Sequence, residues 1–538
     1  RQPPNLPGLT QWRVKGEVLD VTHHDLAFDT AEIDALFRTQ YGHALTPAQV
    51  QALAEETEGW AIALQLIAQG LQAAPGASVD QALAALPGSL DDLFAYLAHE
   101  VLARQPPAVQ DFLLRTSVLR ALEPAACDYL LDARDSETTL RRLEEAGLFV
   151  FALGDQYRYQ HLFHDFLQSR AAHDPAAVTA LHRRAATFYR ARGDVEGAIY
   201  HLLAGGQPEV AADLMEAQRQ EMSQSGRVRT LAAWAESLPA EVLTGRPALL
   251  SCLGDAARLN SRFDVALAWY EQARARYSAR LDRIGVSQAL QGQALVYLDT
   301  VRPLQAESLL QEALRLIDGQ QDKLERARVL ELLAENKLNR GQWAEAEALW
   351  RQARGLREEG PGEGDLDARV RLRTGRLAEA REMLERRAAA ERAEGLGGRS
   401  PRSHRETLLV LSLIYAFQGE AERALGCAEE GIRIGQILAS PFVEAVGYIR
   451  RGHALLLGQG AGAIGEAERS YRQAMALAES LHLPRLEVEV NWGLCRLYGF
   501  SGDVAAAERH GRRGMEVGLR AGDEWIAALT AVTLGASH

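Results

Sequence analysis

One phrase returns at least six times through the C-terminal two-thirds of this 538-residue chain. An apolar-periodic helix leads to a Gly or another small residue at a turn, and a second helix then carries Ala five positions after that residue. The clearest copies are residues 193–198 (GDVEGA), 261–266 (SRFDVA), 341–346 (GQWAEA), 375–380 (GRLAEA), 419–424 (GEAERA) and 502–507 (GDVAAA), with weaker ones centred on Ala306 and Ala467. A tight turn needs a small residue, and Ala lets the second helix approach the first closely, while Trp350, Leu384 or Tyr471 fills the gap between neighbouring pairs. Each pair leaves one apolar face uncovered until the next pair stacks on it. The pattern therefore predicts a mostly all-α chain ending in a right-handed α-solenoid whose first helices line a concave groove.

The period, about 40 residues, is longer than the roughly 34 of the tetratricopeptide repeat that these pairs resemble, so longer helices are expected. Two stretches break the regularity: residues 355–365, rich in Gly and Glu, and residues 394–404 (EGLGGRSPRSH), both read as exposed loops. Between them the first helix, Asp367 to Arg373, is unusually short. Aligning the copies on their common Ala turns Asp255, Arg258, Gln288, Gln291, Arg328, Glu331, Glu335, Trp492 and Arg496 towards the groove. An aromatic among polar side chains suits a carbohydrate or nucleoside, because one ring face stacks while the polar groups take hydroxyls. An effector groove for an inducer, small molecule or protein, is the resulting expectation.

Composition excludes several other classes. The formal charge of -13 opposes a non-specific hold on nucleic acid, which needs clustered cations. No stretch approaches the roughly 18 uninterrupted apolar residues of a membrane span, so no membrane partner is expected. Cys127, Cys252, Cys427 and Cys495 lie far apart in apolar helical patterns and read as buried thiols of a reducing cytoplasm rather than as a metal site. Nucleophile–base pairs, metal-ligand spacings and paired carboxylates do not rise above background, so catalytic and metal sites are both expected to be absent.

The N-terminal third reads differently. Residues 16–21 (GEVLDV) suggest a short strand, Asp29 to Tyr41 a helix, Pro47 to Gln69 a helix interrupted at residues 57–60 (TEGW), and Asp91 to Arg104 an amphipathic helix. Helices follow at Ala108 to Ser117, Pro124 to Leu131 and Ser136 to Ala146. Leu148 to Leu153, the Gly154–Asp155 turn and Tyr157 to Gln160 then form a hairpin. Helix, helix, helix, hairpin is a winged-helix pattern. Its third helix carries Glu137, Glu144 and Glu145 against Arg141 and Arg142, a balance that phosphate repels, so an intramolecular role is expected.

Residues 26–37 (LAFDTAEIDALF), 58–71 (EGWAIALQLIAQGL), 96–119 (YLAHEVLARQPPAVQDFLLRTSVL), 143–150 (LEEAGLFV), 157–167 (YRYQHLFHDFL) and 181–206 (LHRRAATFYRARGDVEGAIYHLLAGG) together resemble the large ATP-binding LuxR-type, MalT-like regulators. These belong to the signal-transduction ATPases with numerous domains (STAND). The resemblance implies that residues 1–28 end a nucleotide-binding core, 29–100 form a helical arm, 101–173 a winged helix, and 174–538 a superhelical sensor. It also implies ATP or ADP as cofactor of an intact protein that includes an upstream ATPase core, self-association on activation, and DNA contact only through a separate effector domain. No G-x-x-x-x-G-K-[ST] loop occurs in the chain, and Lys15, Lys323 and Lys337, its three lysines, sit in no Gly-rich turn, so no cofactor is expected on this chain alone.

Three residues fall where the family touches nucleotide. Arg1 stands at the end of the core's sensor strand. Gln160 occupies the place of the His in the family's Tyr-His-x-Leu-Phe, with His161 beside it as the substitute donor. Function then reads as signal sensing: an inducer in the groove is relayed through the winged-helix arm to nucleotide-dependent oligomerisation. The alternative is a protein-binding scaffold with degenerate N-terminal arms.

Overall fold

The computed structural model describes residues 26–61, 63–65, 67–68, 97–300, 302–318, 322–357, 365–394, 406–458 and 461–537. The expected strand at 16–21, Arg1 and the loop at 395–404 lie outside them. Two compact units divide between Ala211 and Ala212.

In the first unit, α1 (Thr30–Gln40) and α2 (Pro47–Thr57) each begin at a reciprocal capping box, Asp29 with Glu32 and Thr46 with Gln49, which satisfies amide donors that a helix start leaves free. The interruption expected at residues 57–60 is present: Glu58 and Gly59 take left-handed backbone (φ 49° and 70°) before helix resumes at 61. Residues 97–102 form a π turn where an ordinary amphipathic helix was expected. After it come α3 (Pro107–Thr116), α4 (Pro124–Leu131), α5 (Ser136–Glu145), the hairpin β1 (Val150–Leu153) and β2 (Gln156–Tyr159), and α6 (His161–Ala171). The strands pair antiparallel, Val150 opposite Tyr159 and Leu153 opposite Gln156, around Gly154 at φ 65°. Leu122 bridges to Tyr157 on the hairpin's other edge. Phe112, Leu113, Leu140, Val150, Phe163 and Phe166 are buried together, and the Tyr159 hydroxyl lies 2.6 Å from Thr116 Oγ1, so hairpin and helices form one core. The first helix pair, α7 (Pro175–Arg192) and α8 (Val195–Ala204), also belongs to this unit.

From α9 (Pro208–Gln224) helices α10 (Val228–Glu236) and α11 (Ala240–Thr244) lead into a regular series. First helices are α12 (Pro247–Leu259), α14 (Arg283–Asp299), α16 (Lys323–Asn339), α18 (Asp365–Arg373), α20 (Thr407–Phe417), α22 (Pro441–Leu455), α24 (Pro484–Ser501) and α26 (Glu524–Ser537). Second helices α13 (Phe263–Ala279), α15 (Pro303–Leu316), α17 (Trp343–Leu356), α19 (Leu377–Glu394), α21 (Ala421–Ile437), α23 (Ala461–Ser480) and α25 (Val504–Ala521) alternate with them. Each helix packs on the next in sequence, and α12, α14, α16 and α18 also pack on one another in succession, as do α20, α22, α24 and α26. This is a solenoid with an inner layer of first helices.

All eight repeat alanines, Ala198, Ala266, Ala306, Ala346, Ala380, Ala424, Ala467 and Ala507, are completely buried. In the six clear copies the turn residue holds left-handed backbone, and Ser261 does so at φ 60° where the other five use Gly. Of the three gap-fillers, Leu384 and Tyr471 are buried, but Trp350 is only partly covered and carries Arg354 over its ring. Tyr471 of α23 is wedged against Gly452 of α22 and Gly493 of α24. Tyr270 of α13 repeats the device against Gly254 and Gly292. A side chain at any of these glycines would displace the ring, so the aromatic wedge sets the spacing between neighbouring first helices. The superhelix also returns on itself: Phe263 meets Phe442 with ring centroids 6.4 Å apart, Arg229 donates to the Leu438 carbonyl, and α16 lies against α26.

Candidate functional site

The inner layer places polar residues of successive first helices within reach of each other, and it pairs most of those expected to face a ligand. Tyr270 donates to Asp255 (2.7 Å), and Arg258 donates to the buried Asp299 (2.7 Å). Burial pushes the Asp255 carboxyl up, with Arg258 opposing. Gln288 and Gln291 both donate to Glu325, whose other neighbour is Arg328 at 3.9 Å. Glu331 pairs with Arg357 at 2.9 Å, and Glu335 with Arg369 at 2.7 Å. Trp492 is buried and donates from Nε1 to Thr533 (2.9 Å), with Arg496 over its face at 5.5 Å. Asp255 to Arg328 therefore form a ladder of internal contacts along the inner helices, whereas Glu335, Trp492 and Arg496 lie in or beside a second, denser cluster.

That cluster gathers side chains from α16, α18, α22, α24 and α26. Arg369 and Arg373 project from the short helix α18, Arg450 from α22, Arg485, Glu489 and Trp492 from α24, and Trp525 from α26. With Leu372, Val410, Leu413 and Ile526 they line a cavity of about 30 Å³. Such a volume admits a water or two, or one small polar group. Glu489 takes Arg450 at 2.9 Å and Arg485 at 2.9 Å, and Arg485 reaches Asp523 at 3.4 Å. Burial alone would raise the Glu489 carboxyl, but the two guanidiniums hold it down at about 2.

Arg373 differs from the other three arginines. Its guanidinium lies 3.5 Å over the Trp525 ring, no carboxylate pairs with it among the described residues, and its buried Nη1 has no hydrogen-bond partner there. Desolvation pushes its pKa down to about 9, against the pull of Asp523 and with the push of Arg485 and Arg369. Behind Trp492, His453 is fully buried, accepts or donates at Nδ1 with the Tyr471 hydroxyl (2.9 Å), and is held well below the usual imidazole range by burial and then by Arg496 and Arg450.

Reading the sequence by repeat register does not find Arg369, Arg373, Arg450, Arg485, Glu489 or Trp525. Their signal was charge in the wrong place: Arg450 and Glu489 interrupt otherwise apolar helical runs, and Arg369 and Arg373 stand four apart on a nine-residue helix.

The residues expected at the nucleotide are occupied otherwise. Gln160 is buried at the N-cap of α6, its Oε1 accepting from the Phe163 amide (2.9 Å) and its Nε2 facing the Thr57 carbonyl (3.5 Å). His161 is half-exposed between Glu56 (3.7 Å) and Asp165 (3.8 Å). Arg158, two residues before Gln160, is clamped by Glu58 at 2.6 Å. Two carboxylates and a committed amide do not by themselves fit a diphosphate. Their geometry joins the wing to the end of α2.

Fold and site define a winged-helix domain joined to a helical-repeat solenoid. Residues 98–178 match the MalT winged helix domain family and residues 245–318 the tetratricopeptide repeat family. The chain thus carries a segment similar to the MalT winged helix followed by a tetratricopeptide-repeat segment. It is 29% identical over 281 residues to the HTH-type transcriptional regulator MalT of Cronobacter sakazakii, covering 51% of this chain and 30% of that protein. Over 261 residues it is 31% identical to the serine/threonine-protein kinase PknK of Mycobacterium tuberculosis strain H37Rv, 48% of this chain and 22% of that one. The matched spans thus cover under a third of these relatives' own length. Among solved structures, a STAND protein with a tetratricopeptide repeat sensor from Pyrococcus horikoshii aligns over 95% of this chain and 69% of its own, at 14% identity and a TM-score of 0.34. No helix among the described residues is long and apolar enough to cross a membrane.

Proposed function

We propose that this chain is the signal-sensing and autoregulatory region of a nucleotide-switched transcriptional activator. The inner face of the solenoid binds an inducer. The winged-helix arm relays occupancy to an ATPase core, and the ATP-bound form self-associates and presents a separate DNA-binding domain to a promoter. ATP and ADP are cofactors of that intact protein, and this chain carries no reaction of its own. The observation that carries the proposal is the convergence of five inner helices on one cavity lined by charged and aromatic groups, in a chain whose residues 98–178 match the MalT winged helix. A small cavity between packed helices favours a small molecule over a peptide, which would need an extended groove.

A melting-temperature screen of the full chain against a panel of metabolites tests the reading. At least one compound raises the midpoint saturably. A stoichiometric protein recovered by pull-down, with no metabolite moving the midpoint, would replace it with the scaffold.

A further inference from the structure

The cavity has a charge imbalance that the fold does not need. Four guanidiniums, Arg369, Arg373, Arg450 and Arg485, face three carboxylates, Glu335, Glu489 and Asp523, and the ion pairs assign every carboxylate to an arginine other than Arg373. One positive charge is left over. Burying an ion without a counter-charge is costly, and such a group ordinarily has a partner or gives up its proton. Arginine keeps its proton even here, where burial has brought it down only to about 9.

The unpaired donors point to what is missing. Arg373 Nη1 and Arg450 Nε are both buried without a hydrogen-bond partner among the described residues, and both side chains line the same cavity. Trp525 holds the Arg373 plane by stacking, which fixes the donor fork without neutralising it. A planar fork of free N–H groups beside an excess positive charge matches an oxyanion.

We propose that this cavity is an oxyanion site, taking a carboxylate or phosphoryl group of the sensor's ligand on Arg373 and Arg450. The inference rests on the sensor reading above and narrows its ligand from small molecules in general to anionic ones. Glu489 and Asp523 keep the neighbouring arginines paired, so the incoming group meets one net charge rather than four, and its binding stays reversible.

The test is calorimetric and thermal titration of the full chain with sodium acetate and, separately, sodium phosphate, at constant ionic strength against sodium chloride. The wild type binds one of the two saturably with a raised melting midpoint, and Arg373→Gln weakens that binding at least tenfold while melting no lower than wild type, since it removes an unpaired buried charge. Acetate or phosphate as the active arm distinguishes a carboxylate from a phosphoryl ligand. Arg512→Gln, on an exposed helix face, binds as wild type does.

Three results would overturn the site. One is no saturable effect of either anion, which leaves water in the cavity. Another is an equal effect in Arg373→Gln, which is the general salting-in or salting-out of any protein. The third is marked destabilisation by Arg373→Gln without anion dependence, which makes Arg373 a packing residue. If a neutral metabolite binds and couples to nucleotide while the anions do nothing, the site fails and the sensor reading stands. If an anion binds at Arg373 without affecting self-association of the intact protein, the site stands and the sensor reading fails.

Discussion

Replacing Gly493 by Ala tests whether the aromatic wedge sets the helix spacing. A Cβ at Gly493 would stand 2.3 Å from Cε1 and 2.5 Å from Cζ of Tyr471, and the ring has little room to retreat: it is fully buried, a Cβ at Gly452 would likewise meet it at 2.5 Å, and its hydroxyl is tied to His453. In an open helix the substitution gains about 0.5–1 kcal/mol from lost chain entropy in the unfolded state. Overpacking against a fixed ring costs about 1–3 kcal/mol, so a net loss of about 1–2 kcal/mol is expected in α22 to α24.

Solenoids unfold in parts, so a global midpoint blurs this loss. Amide hydrogen exchange of peptides from those helices reads it locally, as exchange roughly five to thirty times faster. Gly426→Ala, on an exposed face of α21 with nothing within 4 Å, slows local exchange instead. Adding Tyr471→Leu to Gly493→Ala makes the two changes non-additive by about 1 kcal/mol or more, because the smaller side chain frees the space. Exchange in Gly493→Ala that is unchanged or slower would refute the wedge.

Acid titration of stability gives two separable slopes. Glu489, held at about 2 against an ordinary 4.5, favours the fold on the order of 3 kcal/mol above about pH 4.5, and this is lost as pH falls through 2; Glu489→Gln abolishes that segment and costs about 3–5 kcal/mol at neutral pH by stranding Arg450 and Arg485. In the first unit the buried His201, pushed down to about 3 by burial and then by His182 and Arg120, protonates later in the fold than in the unfolded chain. Stability there is complete above the ordinary imidazole value of 6.5 and falls as pH drops towards 3; His201→Phe flattens this slope in a pH series of hydrogen exchange at α7 and α8. Gln160→Ala removes the N-cap of α6 and destabilises that helix by about 1 kcal/mol, read as faster exchange of its first-turn amides.

The solenoid was legible because its determinants are local. Gly or Ser at a turn and Ala five residues on are requirements of backbone and close approach that repeat in sequence as they repeat in space, and Ala198, Ala266 and Ala424 are buried for the same reason. The hairpin of the winged helix was legible from Gly154 and Asp155, within two residues of its observed bounds. The interruption at residues 57–60 was legible too, but not the left-handed backbone of Glu58, whose side chain is held by a contact a hundred residues away, the Arg158 clamp.

Repeat register located the inner face but not the site. Asp255, Arg258, Gln288 and Gln291 do occupy inner helices, yet they are consumed by Tyr270, Asp299 and Glu325. Arg373 meets Trp525 only because the superhelix returns, and that return depends on accumulated rotation over several pairs, which periodicity does not encode.

In the proposed switch, ligand on the inner face and nucleotide on the parent protein act on one equilibrium. Its most direct measurement is a calorimetric titration of the intact protein with the compound found by melting screen, once saturated with ADP and once with a non-hydrolysable ATP analogue. Binding is expected to be tighter in the ATP-analogue state by about five- to 150-fold, with the nucleotide preference shifted by the same factor when the compound is present. Equal affinity in the two nucleotide states would contradict it.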